Sequence, residues 1–197
     1  MREDRDMVIV RKLNAKDDFR AVAELIYYTD DYIFPYLYNN DIEKAVSVIG
    51  EMIVSDTIYN YKNITAAVLD EKIVGIVVAV RKPFSVDLAE MADCFLKAGA
   101  IIDERFTKVY NEYYKLLDGA SEGVYIANVC VNRNYRGNGI AKKMLKAVLS
   151  DDCRYELETV KANKPAFAAY TAMGFRVDYE YPGFTAVPCY KMSREKR

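Results

Sequence analysis

The stretch from Val124 to Ala141 constrains this chain more than any other. Val124 to Val131 is an apolar, β-branched run and reads as a buried strand. A polar loop, Asn132 to Asn134, follows it. Arg136-Gly137-Asn138-Gly139 then opens an amphipathic helix. Ile140, Met144, Leu145, Val148 and Leu149 fall on one face of that helix, and Lys142, Lys143 and Lys146 fall largely off it.

The turn also has the makings of an anion site. The first N–H groups of a helix lack intrahelical partners, and the helix dipole adds positive character there. Gly137 and Gly139 carry no Cβ, so a phosphate can approach the main chain closely. Arg136 adds a fixed, forked positive charge. A strand–helix connection that holds no ligand is the alternative reading. Two familiar phosphate loops do not fit. The Walker loop requires Gly-x-x-x-x-Gly-Lys-Ser/Thr, and the dinucleotide fingerprint requires a third glycine where this chain has Lys142.

Length and composition narrow the class. The 197 residues suit one domain, 1–197, with a substantial core. A net charge of −1 gives no bulk electrostatic case for nucleic acid or an anionic membrane. No apolar run is long enough to span a bilayer, and Met1 to Asp6 is charged, unlike a signal peptide. Cys94, Cys130, Cys153 and Cys189 are far apart and read as reduced, mostly buried thiols of a cytoplasmic protein. The chain has no histidine, which excludes a Ser-His-Asp triad and a His-ligated metal site. A general base must then be a carboxylate, a tyrosine, a terminal amine or water.

In chain order, Val8 to Leu13 reads as a strand and Ala15 to Tyr28 as a helix with Asn14 as its cap. Thr29 to Tyr38 is unusually aromatic and is not helical throughout, because of Pro35. Asp41 caps a helix to about Val54, with Ile42, Ala45, Val46, Ile49 and Ile53 inward. Thr65 to Leu69 and Ile73 to Val80 form a hairpin, with Gly75 marking a bulge or a close backbone approach. Ser85 to Leu117 reads as two helices broken near Gly99. Met91, Phe95, Phe106, Val109, Tyr110, Tyr113 and Leu117 supply their apolar positions. Tyr155 to Val160 is a short strand, Lys164 to Met173 a helix closed by Gly174. Phe175 to Tyr181 and Thr185 to Lys191 are a final pair around Pro182-Gly183. The expected class is α/β of the α+β type, a single mostly antiparallel mixed sheet flanked by helices.

The second constellation is Asn163 to Phe175. Asn163 and Tyr170 are close to two helical turns apart and share a face, with the small Ala166 between them. Asn163 also suits an N-cap, since Pro165 sits in the first turn, and Tyr170 also suits a core aromatic.

Arg136-x-x-Gly139-x-Ala141 after a strand resembles the acyl-CoA pyrophosphate loop of the GNAT superfamily of N-acetyltransferases, Gln/Arg-x-x-Gly-x-Gly/Ala. Asn163-x-x-Ala166-x-x-x-Tyr170-x-x-x-Gly174-Phe175 resembles what the same family carries after its fifth strand. The two motifs span residues 124 to 175, and the element order extends the likeness over most of the chain. It departs from the family at the helical stretch 85–118, where a short hairpin is usual. That insertion fits packing on the sheet, a homodimer contact or a cover for the acceptor site.

The resemblance implies a GNAT acyl-CoA fold and transfer of an acetyl group from acetyl-CoA, without a metal, to a primary amine on a small molecule or peptide. It implies that pyrophosphate rests on the N–H groups of Gly137, Asn138, Gly139, Ile140 and Ala141 beside Arg136. The pantetheine arm would pair with Val129 and Val131 where two strands splay. Asn163 would contact that arm, and Tyr170 would protonate the leaving thiolate. A non-catalytic acyl-CoA sensor of the same fold is the alternative. Glu156 and Glu158 share one strand face, with Glu158 nearer the expected cleft. Cys130 invites a covalent route, although packing is the ordinary role of such a thiol. The stretch Tyr27 to Tyr38, with Asp30 and Asp31, is the candidate acceptor wall.

Overall fold

The computed structural model describes residues 7–114, 122–150 and 152–196. Among these the strands are β1 (Ile9–Lys12), β2 (Ile64–Leu69), β3 (Lys72–Lys82), β4 (Gly123–Val131), β5 (Tyr155–Val160), β6 (Arg176–Pro182) and β7 (Pro188–Arg194). They form one sheet in the order β1-β2-β3-β4-β5-β7-β6. Every neighbouring pair is antiparallel except β4 and β5, which are parallel.

The helices are α1 (Phe19–Tyr27), α2 (Ile33–Leu37), α3 (Ile42–Val54), α4 (Leu88–Lys97), α5 (Glu104–Val109), α6 (Ile140–Val148) and α7 (Lys164–Ala172). They cover the two faces unequally. α1 to α5 close one face over Ile26, Ile49, Met52, Phe95 and Phe106. α6 and α7 close the other over Ile126, Met144, Leu145, Leu157 and Phe175.

Local chemistry explains most boundaries. Asp18 and Asp41 cap α1 and α3 by accepting from Ala21 N at 3.1 Å and Lys44 N at 2.9 Å. Asp70 and Glu71, both at positive φ, make the two-residue turn between β2 and β3. Gly75 meets both readings made for it. The β2–β3 register shifts beside it, and an added Cβ would stand 3.0 Å from the Cys130 carbonyl. Gly99, at φ +62°, ends α4 and separates it from α5.

Several details differ from the sequence reading. α1 starts at Phe19 under Asp18, because Asn14 spends its side chain on a local turn, accepting from Lys16 N at 3.0 Å. Ile42 is 38% exposed, since it begins α3 at the rim and not over the sheet. A short helix, α2, forms inside the aromatic stretch. Pro35 is tolerated there because it sits in the first turn, where an N–H has no helical partner. β7 begins at Pro188, because the 3₁₀ turn Phe184–Ala186 occupies the positions assigned to its start. The side chain of Tyr113, Leu117 and the end of the 85–118 stretch lie outside the described residues, as do Met1 to Asp6. Among the described residues, no helix is long and apolar enough to cross a membrane.

Candidate active site

The site begins where the parallel pair comes apart. β4 and β5 are registered only over Val124 to Ile126 against Tyr155 to Leu157. Each keeps its outer partner well beyond that point, β4 on β3 and β5 on β7. The inner edges therefore separate into a cleft through the sheet.

A bulge decides which backbone groups of β4 face that cleft. Val78 pairs with Asn128 and Ala79 with Ile126, so Ala127 is the extra residue. Beyond the bulge the N–H of Asn132 donates to Val74 O on the β3 side, at 2.9 Å. Strand alternation then turns Val131 and Val129 the other way, toward the open edge. The carbonyl of Val131 does face away from β3, since it accepts from Arg136 Nε at 2.9 Å.

The turn after β4 is built from Arg136 to Gly139. Gly137 and Gly139 have φ of +83° and +72°, a region costly for other residues. An added Cβ at either would meet nothing within 4 Å, so open space lies over both. Asn138 turns back into the loop, its Nδ2 donating to Tyr135 O at 3.2 Å. Gly139 sits at the N-cap of α6 and supplies no side chain to its first N–H groups. Those of Ile140 and Ala141 are thus free of side-chain capping.

α7 lines the other wall. Asn163 does serve as its cap, Oδ1 accepting from Ala166 N at 3.2 Å, and also lines the cleft. Tyr170 is buried at 8% exposure against Phe175. Burial, with a smaller effect of Cys130, pushes its phenol well above the ordinary range, so it stays protonated.

Two clefts meet at this tyrosine. One is lined by Val129, Val131, Arg136, Gly137, Gly139, Ile140 and Ala141 among others. The second is lined by Asp30, Tyr32, Phe34, Glu112, Asn128 and Glu158 among others. Thr29, Val129, Asn163, Ala166 and Tyr170 belong to both. One cleft runs to the glycine turn, and the other to Asp30, Glu112 and Glu158.

The second cleft is acidic and aromatic, with no lysine or arginine among the described residues of its lining. Asp30 lies in it, but Asp31 does not. Burial pushes the Asp30 carboxyl up, against hydrogen bonds to Oδ1 from the N–H groups of Ile33 and Tyr32. Asp30 is thus both the capping residue of the aromatic turn and part of the wall. Tyr27 and Tyr38 turn into the core, each stacking on Phe34. Glu158 accepts from Tyr181 Oη at 2.5 Å and Lys191 Nζ at 3.3 Å. Glu156 is instead buried among Lys82, Arg154 and Lys191.

All four cysteines are free thiols. Cys130 is packed in the core, and burial raises its pKa despite the neighbouring Arg136. Cys189 lines the acidic cleft; burial, Glu158 and Asp30 push it up to about 11. Neither is disposed to act as a thiolate.

Sequence reasoning missed Asn128, Glu112 and Tyr181. A signal existed for Asn128, the one amide in an otherwise apolar strand. Among the described residues there is no cluster of side chains able to hold a metal ion. The glycine turn fits a phosphate-bearing ligand better. It offers uncapped helix N–H groups, a nearby arginine, and space where Cβ atoms would otherwise stand.

Comparison with known proteins adds an independent line. The family model described as the acetyltransferase (GNAT) family matches residues 31–175. No curated protein matches the chain. Among solved structures, an N-acetyltransferase from Staphylococcus aureus Mu50 is 19% identical with a TM-score of 0.73, covering 94% of this chain and 99% of that one. A histone acetyltransferase HPA2 and related acetyltransferase from Corynebacterium glutamicum is 16% identical with a TM-score of 0.67, covering 96% and 97%. Arabidopsis thaliana NAA60 in complex with acetyl-CoA is 20% identical with a TM-score of 0.57, covering 95% and 97%. At these identities the likeness is one of fold.

Proposed function

The chain belongs to the GNAT acetyltransferase family, and from that premise we propose that it transfers an acetyl group from acetyl-CoA to a primary amine by direct attack in a ternary complex. The family uses acyl-CoA and acetylates amine acceptors; acetyl as the acyl group, and the residue roles below, are our reading. The whole chain, 1–197, would act as one such domain. The observation that carries this reading is the meeting of the two clefts at Tyr170.

Acetyl-CoA supplies an activated thioester. The N–H groups of Gly137 to Ala141 hold its phosphates, with Arg136 adding charge. Val129 and Val131 present backbone groups to its extended arm, as an unfilled strand edge does. A backbone N–H at this edge stabilises the negative charge that develops on the carbonyl oxygen. Asn163, at the start of α7, contacts the same arm.

The amine enters from the acidic cleft. Its lone pair forms the new C–N bond as the C–S bond breaks. Tyr170, protonated by virtue of its burial, gives its proton to the departing sulfur. The proton lost by nitrogen passes to water in the open cleft.

Calorimetric titration with acetyl-CoA tests the cofactor half, alongside an Arg136→Ala, Gly139→Glu double variant. Binding by the wild type, lost in the variant, is the expected result. Thiol release across an amine panel tests the transfer. A folded protein that binds neither acetyl-CoA nor CoA overturns the reading.

A further inference from the structure

Asn128, in the wall of the acidic cleft, has a buried acceptor atom with no partner among the described residues. Asn128 is 9% exposed and lies on β4 just past the bulge, beyond the point where β4 and β5 stop pairing. Its Nδ2 donates to Thr29 Oγ1 at 2.7 Å. Thr29 in turn spends its hydroxyl proton on Ile26 O, at 2.6 Å. A hydroxyl that has donated its only proton can only accept from Asn128. The amide orientation is therefore fixed by chemistry, and Oδ1 must face away from Thr29. That oxygen is buried and accepts no hydrogen bond among the described residues. A buried acceptor left unpaired costs about 1–3 kcal/mol, which a ligand N–H at this wall would recover.

The charge around it is one-sided. Asp30, Glu112 and Glu158 line the same cleft as Asn128, with no cationic residue among the described residues of its lining. Glu158 is balanced by Lys191 just behind it. Asp30 and Glu112 form no ion pair among the described residues. Tyr32, Phe34, Tyr59, Tyr125, Tyr181 and Phe184 add aromatic faces, which also favour a cation.

Resting on the acetyltransferase reading above, we propose that the acceptor is a primary amine bearing a second positive charge, a diamine-type dication. Its attacking nitrogen donates an N–H to Asn128 Oδ1, and its second ammonium is held by the carboxylates of Asp30 and Glu112. Asn128 is thus a positioning residue. The nitrogen must be neutral to attack, so a neutral amide oxygen suits it better than a carboxylate, which would favour the ammonium form. The distant ammonium keeps its charge and belongs beside the carboxylates.

The test uses three amines of matched length: 1,4-diaminobutane, n-butylamine and 4-aminobutanoate. Acetyl-CoA binding is measured first by calorimetry, then thiol release with each amine. We expect kcat/KM to fall about tenfold from the diamine to butylamine, and further to the amino acid, one unpaired charge being worth about a factor of ten. Glu112→Gln, at an exposed position, should raise KM for the diamine and narrow its advantage over butylamine. Asn128→Leu should lower kcat/KM about tenfold or more for every amine while leaving acetyl-CoA affinity unchanged. A melting curve checks its fold, and Asn128→Asp, which keeps the acceptor oxygen, should shift the pH profile upward as the amine pKa rises. Equal use of the three amines overturns the proposal. So does an Asn128→Leu protein, or a Glu112→Gln protein, with wild-type kinetics. Acetyl-CoA binding with no amine in the panel acetylated overturns this acceptor class and leaves the family reading standing. Failure to bind acetyl-CoA overturns both.

Discussion

Arg136 Nε donates to the Val131 carbonyl at 2.9 Å, so the residue that opens the glycine turn is tied to the last residue of the strand before it. This bond sets the path of the turn as much as the charge of Arg136 sets its field. The two roles separate by substitution. Arg136→Ala loses both, and acetyl-CoA affinity should fall about tenfold to a hundredfold, on the scale of a charge-assisted hydrogen bond. Arg136→Lys keeps the charge but cannot supply an Nε–H held by a planar fork, and should recover only part of the loss. Calorimetry on the three proteins reads this directly. Equal affinity of all three would remove Arg136 from the phosphate site.

In the proposed transfer Tyr170 would donate the proton to the departing sulfur. Tyr170→Phe keeps the ring against Phe175 and removes only the hydroxyl. Turnover should fall about 10²-fold with little change in acetyl-CoA affinity. The pH dependence follows from burial. The phenolate is the disfavoured form, so the acid form persists above the ordinary tyrosine value of 10.0. No loss of kcat attributable to Tyr170 is expected below that pH. A tyrosine-dependent alkaline limb centred below pH 10, absent in Tyr170→Phe, would contradict its assignment as a buried acid.

What the sequence made legible was local. The glycine turn, the apolar face of α6 and the stop at Gly174 each rest on a few neighbouring residues, and each is found. The cleft lining was less legible because it depends on register. Regular alternation would set Asn128 on the face of Ile126, yet the extra residue Ala127 carries it to the face of Tyr125 and Cys130, which only pairing with Val78 and Ala79 reveals. Glu112 reaches the cleft from the helical insertion, a placement that no spacing rule anticipates. Asn14 and Asp18 show the same limit on a smaller scale. Both are good caps, and the choice fell to Asp18 because Asn14 closes the preceding turn.

Two glycines near the turn should respond differently to a methyl group. At Gly75 the new Cβ would stand 3.0 Å from Met144 Cε, which can move, and 3.0 Å from the Cys130 carbonyl, which is fixed in β4. Gly75→Ala should cost about 1–3 kcal/mol of stability through overpacking. At Gly139 the new Cβ meets nothing, and only the left-handed backbone is penalised, by about 1–2 kcal/mol. Its larger effect should be on ligand, since the methyl enters the space over the turn. Denaturant unfolding and calorimetry on both variants separate the effects. A Gly75→Ala protein as stable as wild type would show that β3 and β4 can part without cost.

Glu156 should contribute to acid sensitivity without taking part in the reaction. Its carboxylate lies among Lys82 at 3.2 Å, Arg154 at 3.1 Å and Lys191 at 3.6 Å, in a region where the Lys82 side chain is 7% exposed. Burial raises its pKa, but the three cations together outweigh burial and hold it below the ordinary 4.5. A folded-state pKa below the unfolded value means the native chain releases this proton more readily. The stabilisation is therefore fully present above about pH 4.5 and is lost as pH falls through the depressed folded value. Glu156→Gln removes that titration and the buried charge that pairs with Lys82, while Lys191 keeps Glu158, a loss of about 3–5 kcal/mol at neutral pH. The expected pattern in unfolding measurements is a large gap between wild type and variant at pH 7 that closes below pH 4.5. A constant gap across that range would mean that Glu156 stabilises the sheet by packing and not by charge.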